Sequence, residues 1–178
     1  MKTLREHIVE GLKIGANTKV NTYSYHPKTN GELYELVQKL IGERGINADL
    51  NDIDTSEVTD MSGVFKDSGF NGDISKWDVS NVKDMRSMFN GSKFTGDISE
   101  WDVGNVKTME SMFAYSNFNG DVSEWDVSNV KDMYAMFRCS KFNGDISKWN
   151  VGNVKDMDYM FGDSPLEKNP PKWYSYNL

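Results

Sequence analysis

The apolar positions of this chain recur every 24 residues. Trp77, Trp101, Trp125, Trp149 and Trp173 occupy one repeat position, and Phe65, Phe89, Phe113, Phe137 and Phe161 another. Met61, Met85, Met109, Met133 and Met157 keep the same spacing, as do Val58, Val82, Val106, Val130 and Val154. One unit reads FNGDISKWDVSNVKDMRSMFNGSK, from Phe70 to Lys93, and further units begin at Phe94, Phe118 and Phe142. The pattern also reaches back to Ile46, with Ile46, Leu50 and Ile53 in the Phe, Ile and Trp slots. Five coils result: 46–69, 70–93, 94–117, 118–141 and 142–165. A period of this kind marks a solenoid, because no single unit can bury its own apolar face and stacking makes one continuous core.

Within a unit the polar positions predict two elements. Around SKWDV, Trp77 and Val79 alternate with Lys76 and Asp78, which predicts a short strand with one buried face. Ser80 follows as a helix N-cap, and Val82, Met85 and Phe89 fall at helical spacing, which predicts a helix of two to three turns. NGD at 71–73 reads as a turn. The expected fold is therefore α/β: a leucine-rich-repeat-type solenoid of five 24-residue strand–helix coils with an N-terminal helical cap.

The first 45 residues lack the repeat. Leu4, Ile8 and Leu12 predict a helix over about 3–14, followed by an arm at 15–27. A second helix begins at the capping box of Thr29 and Glu32, carries Leu33, Leu36, Val37, Leu40 and Ile41 on one stripe, and stops at Gly45. It is expected to cover the open end of the first coil. The first helix and arm either pack on this cap or dock into a larger assembly. At the other end, Leu166 and Trp173 keep two repeat positions while Pro165, Pro170 and Pro171 halt the pattern. The division is 1–45 as cap and arm, 46–165 as the repeats and 166–178 as a capping tail.

The unit FNGDISKWDVSNVKDMRSMF closely resembles the BspA-like leucine-rich-repeat proteins, in their W-D-V-S-N-V-x-x-M-x-x-M-F subtype. The resemblance spans residues 50–161. It implies a leucine-rich-repeat fold, and roles in adhesion or protein recognition known among bacterial cell-surface and phage members. It carries over no catalytic residues.

Composition narrows the chemistry. Net charge is −7, split as +2 over residues 1–45 and −9 over 46–178. That balance opposes the phosphate-backbone grip of basic nucleic-acid binders. The single cysteine, Cys139, permits no internal disulfide. The first residues show no secretion signal, no stretch is apolar enough to span a bilayer, and no lipidation cysteine lies near the start. Together these point to a cytoplasmic or virion-associated location over a lipid-anchored one. His7, His26 and Cys139 do not make a zinc site, and no nucleotide-binding or nucleophile motif is present. No cofactor, metal or catalytic residue is expected.

The acidic row of Asp73, Asp97, Asp121 and Asp145 could in principle line up for calcium, but capping of its own turns is the expected role. The row Asn81, Asn105, Asn129 and Asn153 is expected to form an internal hydrogen-bonded ladder. Two surfaces remain for a partner. One is the strand face: Lys76, Asp78, Glu100, Asp102, Glu124, Asp126, Lys148 and Asn150. The other consists of positions that differ between units, where Tyr115, Tyr134 and Arg138 are residue types enriched at binding hot spots. The expected function is a non-enzymatic module that binds another protein. The alternative is a structural part of a larger assembly such as a virion, docked through the N-terminal helix and arm.

Overall fold

The structure, a computed structural model, describes residues 23–176, without the side chains of residues 175 and 176. The expected helix at 3–14 and most of the arm lie outside the described residues.

The 24-residue register is realised as a stack of coils. Isolated parallel bridges join Asp60 to Asp84, Asp84 to Thr108, Thr108 to Asp132 and Asp132 to Asp156. Their Trp, Phe, Met and Val side chains merge into one buried cluster. The rings of Phe65, Phe89, Phe113, Phe137 and Phe161 stack along it at 5.4, 5.5, 5.6 and 6.1 Å. A second file, Phe70, Phe94, Phe118 and Phe142, runs alongside at 6.2, 6.4 and 6.3 Å. Each indole adds a bond along the stack: Trp77 Nε1 donates to Leu50 O at 3.0 Å, and Trp173 Nε1 to Ile146 O at 2.9 Å.

The strand–helix coil is not what forms. Among the described residues the one α-helix, α1 (Asn30–Arg44), lies before the repeats, and no sheet exists beyond isolated bridges. Two 3₁₀ turns, Pro165–Glu167 and Lys172–Tyr176, follow the repeats. The segment NVKDMRSMF is a run of turns instead of a helix, and the backbone shows why. Two residues four apart in every coil are left-handed: Gly63, Ser87, Ser111, Ala135 and Tyr159, then Asp67, Gly91, Tyr115, Cys139 and Asp163. A left-handed residue ends an α-helix. Alternate N–H groups then leave the coil: Met85, Ser87, Phe89 and Gly91 donate to Thr108, Glu110, Met112 and Ala114 carbonyls of the next coil at 2.8–3.1 Å. The intervening N–H groups turn inward, as Met88 to Met85 O and Asn90 to Ser87 O. The i, i+3, i+7 spacing of Val82, Met85 and Phe89 thus buries one face of a turn chain as well as it would a helix.

The polar residues hold the corners. Asp73, Asp78 and Asp84 each accept the N–H two residues on, from Ser75, Ser80 and Arg86 at 2.9–3.0 Å. Ser92 accepts the Phe94 N–H at 3.1 Å. Ser80 is thus a partner within an Asx turn, not a helix N-cap. The Asn row bonds to backbone on an exposed edge and is not internal: Asn105 Nδ2 reaches Ser80 O at 2.8 Å and Asn129 reaches Gly104 O at 2.8 Å. The glycine of each G-D turn has a packing cause, since a Cβ at Gly96 or Gly144 would stand 2.7 Å from the Phe94 or Phe142 ring.

α1 follows the expected cap chemistry. Thr29 Oγ1 accepts the Glu32 N–H, Glu32 accepts the Lys28 N–H at 2.7 Å, and Gly45 (φ 92°) donates to Ile41 O. Leu33, Val37 and Leu40 join the repeat core. Asn30 Nδ2 donates to Ser62 O at 2.9 Å and Asp60 O at 3.4 Å. In later coils the same carbonyls are taken by the preceding coil, so Asn30 does for the first coil what a neighbouring coil does for the others. Arg44 grips Asp52 through both carboxylate oxygens at 2.9 and 3.0 Å and lies over the Tyr25 ring. Its guanidinium hydrogen bonds hold the Asp52 carboxyl below the usual range. The described end of the arm belongs to the fold: Tyr25 bridges Ile53, and Pro27 is buried.

Candidate partner-binding surfaces

Burial alternates around SKWDV as expected, although no strand forms there. Trp77 and Val79 are buried, and Lys76, Asp78, Glu100, Asp102, Glu124, Asp126, Lys148 and Asn150 are all exposed. Much of this face already has structural work. Asp78, Asp102, Asp126 and Asn150 each accept the N–H two residues on, at 3.0, 3.1, 3.0 and 3.2 Å. The Ser128 hydroxyl and N–H hold the Asp126 carboxyl below the ordinary range. Lys148 pairs with Glu124 at 3.2 Å with both ends in solvent, a geometry worth little. The Asp73 row is likewise turned to its own corners: Asp97 and Asp121 accept from Ser99 and Ser123, which lowers both carboxyls. Among the described residues no group of three potential metal ligands converges. No helix there is long and apolar enough to cross a membrane.

The varying positions make a different surface. They fall on the turn chain and not, as expected, on and after a helix. Tyr134 meets the ring of Tyr159 edge-on at 5.8 Å, and the Arg138 guanidinium lies 5.7 Å from the centre of the same ring. Such ring–ring and cation–ring contacts are favourable and leave the outer faces open. Tyr115 is one coil away, and its N–H donates to Arg138 O at 2.8 Å. Tyr115 and Tyr159 are 56% and 61% exposed. The sequence reading brought in Tyr115, Tyr134 and Arg138 but missed Tyr159, the residue that joins two of them. Its row, Gly63, Ser87, Ser111, Ala135 and Tyr159, held the signal: four small residues and one large aromatic.

Every coil is left-handed at these two rows, and bulk sets the tyrosines apart. Tyr115 (φ 58°) and Tyr159 (φ 57°) are left-handed, at rows where other coils have Gly91 and Gly63. A bulky residue there is an outlier, and strain of this kind gathers at functional positions. Elsewhere on the varying rows Arg86 folds back on Asp84 at 2.6 Å, beside a shallow hollow of about 300 Å³ with Gly63 and Glu110.

A stack of 24-residue coils closed by a helical cap is a repeat protein, with its varying residues confined to a few rows. The family described as "Mycoplasma protein of unknown function, DUF285" matches residues 32–137 and again 92–176, and the chain belongs to it. Nothing among curated proteins or solved structures matches the chain.

Proposed function

We propose that the chain is a non-enzymatic module that binds another protein through the Tyr115, Tyr134, Arg138 and Tyr159 surface. One observation carries the reading: two exposed tyrosines occupy left-handed positions that Gly, Ala, Ser, Cys or Asp hold in the other coils, and one of them packs with Tyr134 and Arg138. Packing of the repeat does not need an aromatic there. Recognition does, since Tyr and Arg give large contact area at low entropy cost. The likeness to BspA-like proteins in repeat sequence points the same way, toward recognition or adhesion, and stands apart from the leucine-rich-repeat fold.

The test is affinity capture from the native source with wild-type protein and the triple variant Tyr134→Ala, Arg138→Ala, Tyr159→Ala. A specific partner is expected on the wild type and absent from the variant. Substituting Lys76, Glu100 and Lys148 by Ala leaves that capture intact. A partner retained by the triple variant and lost with Lys76, Glu100 and Lys148 moves the site to the other face.

A further inference from the structure

The turn chain has a direction, and its two ends differ chemically. Along it, the donors at each junction are N–H groups of one coil and the acceptors are carbonyls of the next, while at the other corners the sense reverses, as from the Lys107 N–H to Lys83 O. On the turn-chain side the end before coil one therefore offers carbonyls, and the end after coil five offers N–H groups. The first end is closed by α1 and Asn30. The second is closed only in part. Trp173 and Tyr174 pack on Phe161, and the Asp163 N–H is taken by the Glu167 carboxylate at 3.2 Å. The N–H groups of Tyr159 and Phe161, equivalent to those of Ser87 and Phe89, find no acceptor among the described residues. Phe161 is only 1% exposed, so an unmet donor there is costly.

Tyr159 and Phe161 line a cavity of about 470 Å³ with Met157, Pro170 and Tyr174 also on its walls. That volume lies within the roughly 300–1,000 Å³ of typical ligand sites. The exposed carboxylates of Asp158 and Glu167 stand at it. Both, after burial, hold the Tyr174 phenol above its usual value, which marks a negative local field. The geometry points to a peptide-docking edge: an extended basic peptide adds here as a sixth layer, its carbonyls accepting from the Tyr159 and Phe161 N–H groups. Three features select this occupant. The row needs acceptors at alternate residues, which an extended backbone supplies. Glu167 shows an acceptor already seated on the last donor of the row, the Asp163 N–H. The flanking acids favour Lys or Arg and oppose a free anion. Stacking of a second whole copy is opposed, because its acceptor end is covered by α1. The inference deepens the protein-binding reading and rests on it.

The probe is a synthetic peptide of this chain's own residues 82–93, VKDMRSMFNGSK, which carries +2. Inside the protein, the Arg86 and Met88 carbonyls of this segment cap the Gly63 and Phe65 N–H groups. Added to the ¹⁵N-labelled full chain, it is expected to shift the Tyr159 and Phe161 amide protons downfield and slow their exchange about tenfold. Asp158→Lys is expected to weaken binding about tenfold. Saturation that leaves both amides unmoved, or no binding at millimolar peptide, overturns the proposal. The Tyr134, Arg138, Tyr159 alanine variant keeps both N–H groups. Partner capture lost there while peptide binding survives separates this edge from the tyrosine surface.

Discussion

At the scale of single residues, the left-handed positions govern the coil. Eight of them are not glycine: Asp67, Ser87, Ser111, Tyr115, Ala135, Cys139, Tyr159 and Asp163. Each costs about 1–2 kcal/mol relative to a right-handed backbone, offset by the inter-coil bonds made on either side. Gly63 (φ 67°) has open space where a Cβ would go, so substitution there isolates backbone strain from sterics. Gly63→Ala is expected to lower stability by about 1 kcal/mol, and Ser87→Gly to raise it by about 0.5 kcal/mol after the added entropy of the unfolded glycine. Urea denaturation of both checks the pair; equal midpoints would mean the conformations are relaxed. None of these left-handed positions was legible in the sequence. The row Gly63, Ser87, Ser111, Ala135, Tyr159 shows no turn signature, and Val82, Met85 and Phe89 mimic a helical stripe. Burial was legible because period and hydrophobicity alone determine it. Tyr159 was missed for the same reason, since an exposed aromatic on an apparent helix carries no mark of strain.

At the scale of elements, the corners are Asx turns and their charge has a consequence. The carboxyls of Asp73, Asp97, Asp121 and Asp145 lie below their ordinary 3.8, chiefly because each accepts a backbone N–H. For Asp97, the neighbouring Asp121 and Asp73 push weakly the other way. A carboxyl lowered on folding favours the folded state fully above the unfolded value. Its contribution is lost as pH falls from 3.8 through the lower folded value. Stability is therefore expected to hold down to about pH 4 and to fall progressively below it. Asn150 shows that a neutral amide can hold such a corner, accepting the Gly152 N–H at 3.2 Å. Asp97→Asn with Asp145→Asn is thus expected to keep the fold and flatten the acid limb of a stability–pH curve. A limb as steep as that of the wild type would assign acid sensitivity elsewhere. The cap illustrates the opposite case to the coil. Thr29, Glu32 and Gly45 could be read directly because helix-end chemistry is local, whereas the repeat's conformation depends on neighbours 24 residues away.

At the scale of the molecule, the stack is an array of aligned donors and acceptors around files of Phe and Trp. Its core is shared by every coil, and its varying residues gather on a few rows. The 24-residue register was legible because the Trp and Phe spacings set it. The internal structure of each coil was not, because two backbones can satisfy one burial pattern. Trans-hydrogen-bond scalar coupling in a long-range HNCO experiment distinguishes them directly. The account predicts that the Phe89 amide couples to the Met112 carbonyl of the next coil, across the 2.9 Å bond. Coupling of that amide to the Met85 carbonyl, four residues back in its own coil, would contradict it and restore the strand–helix repeat.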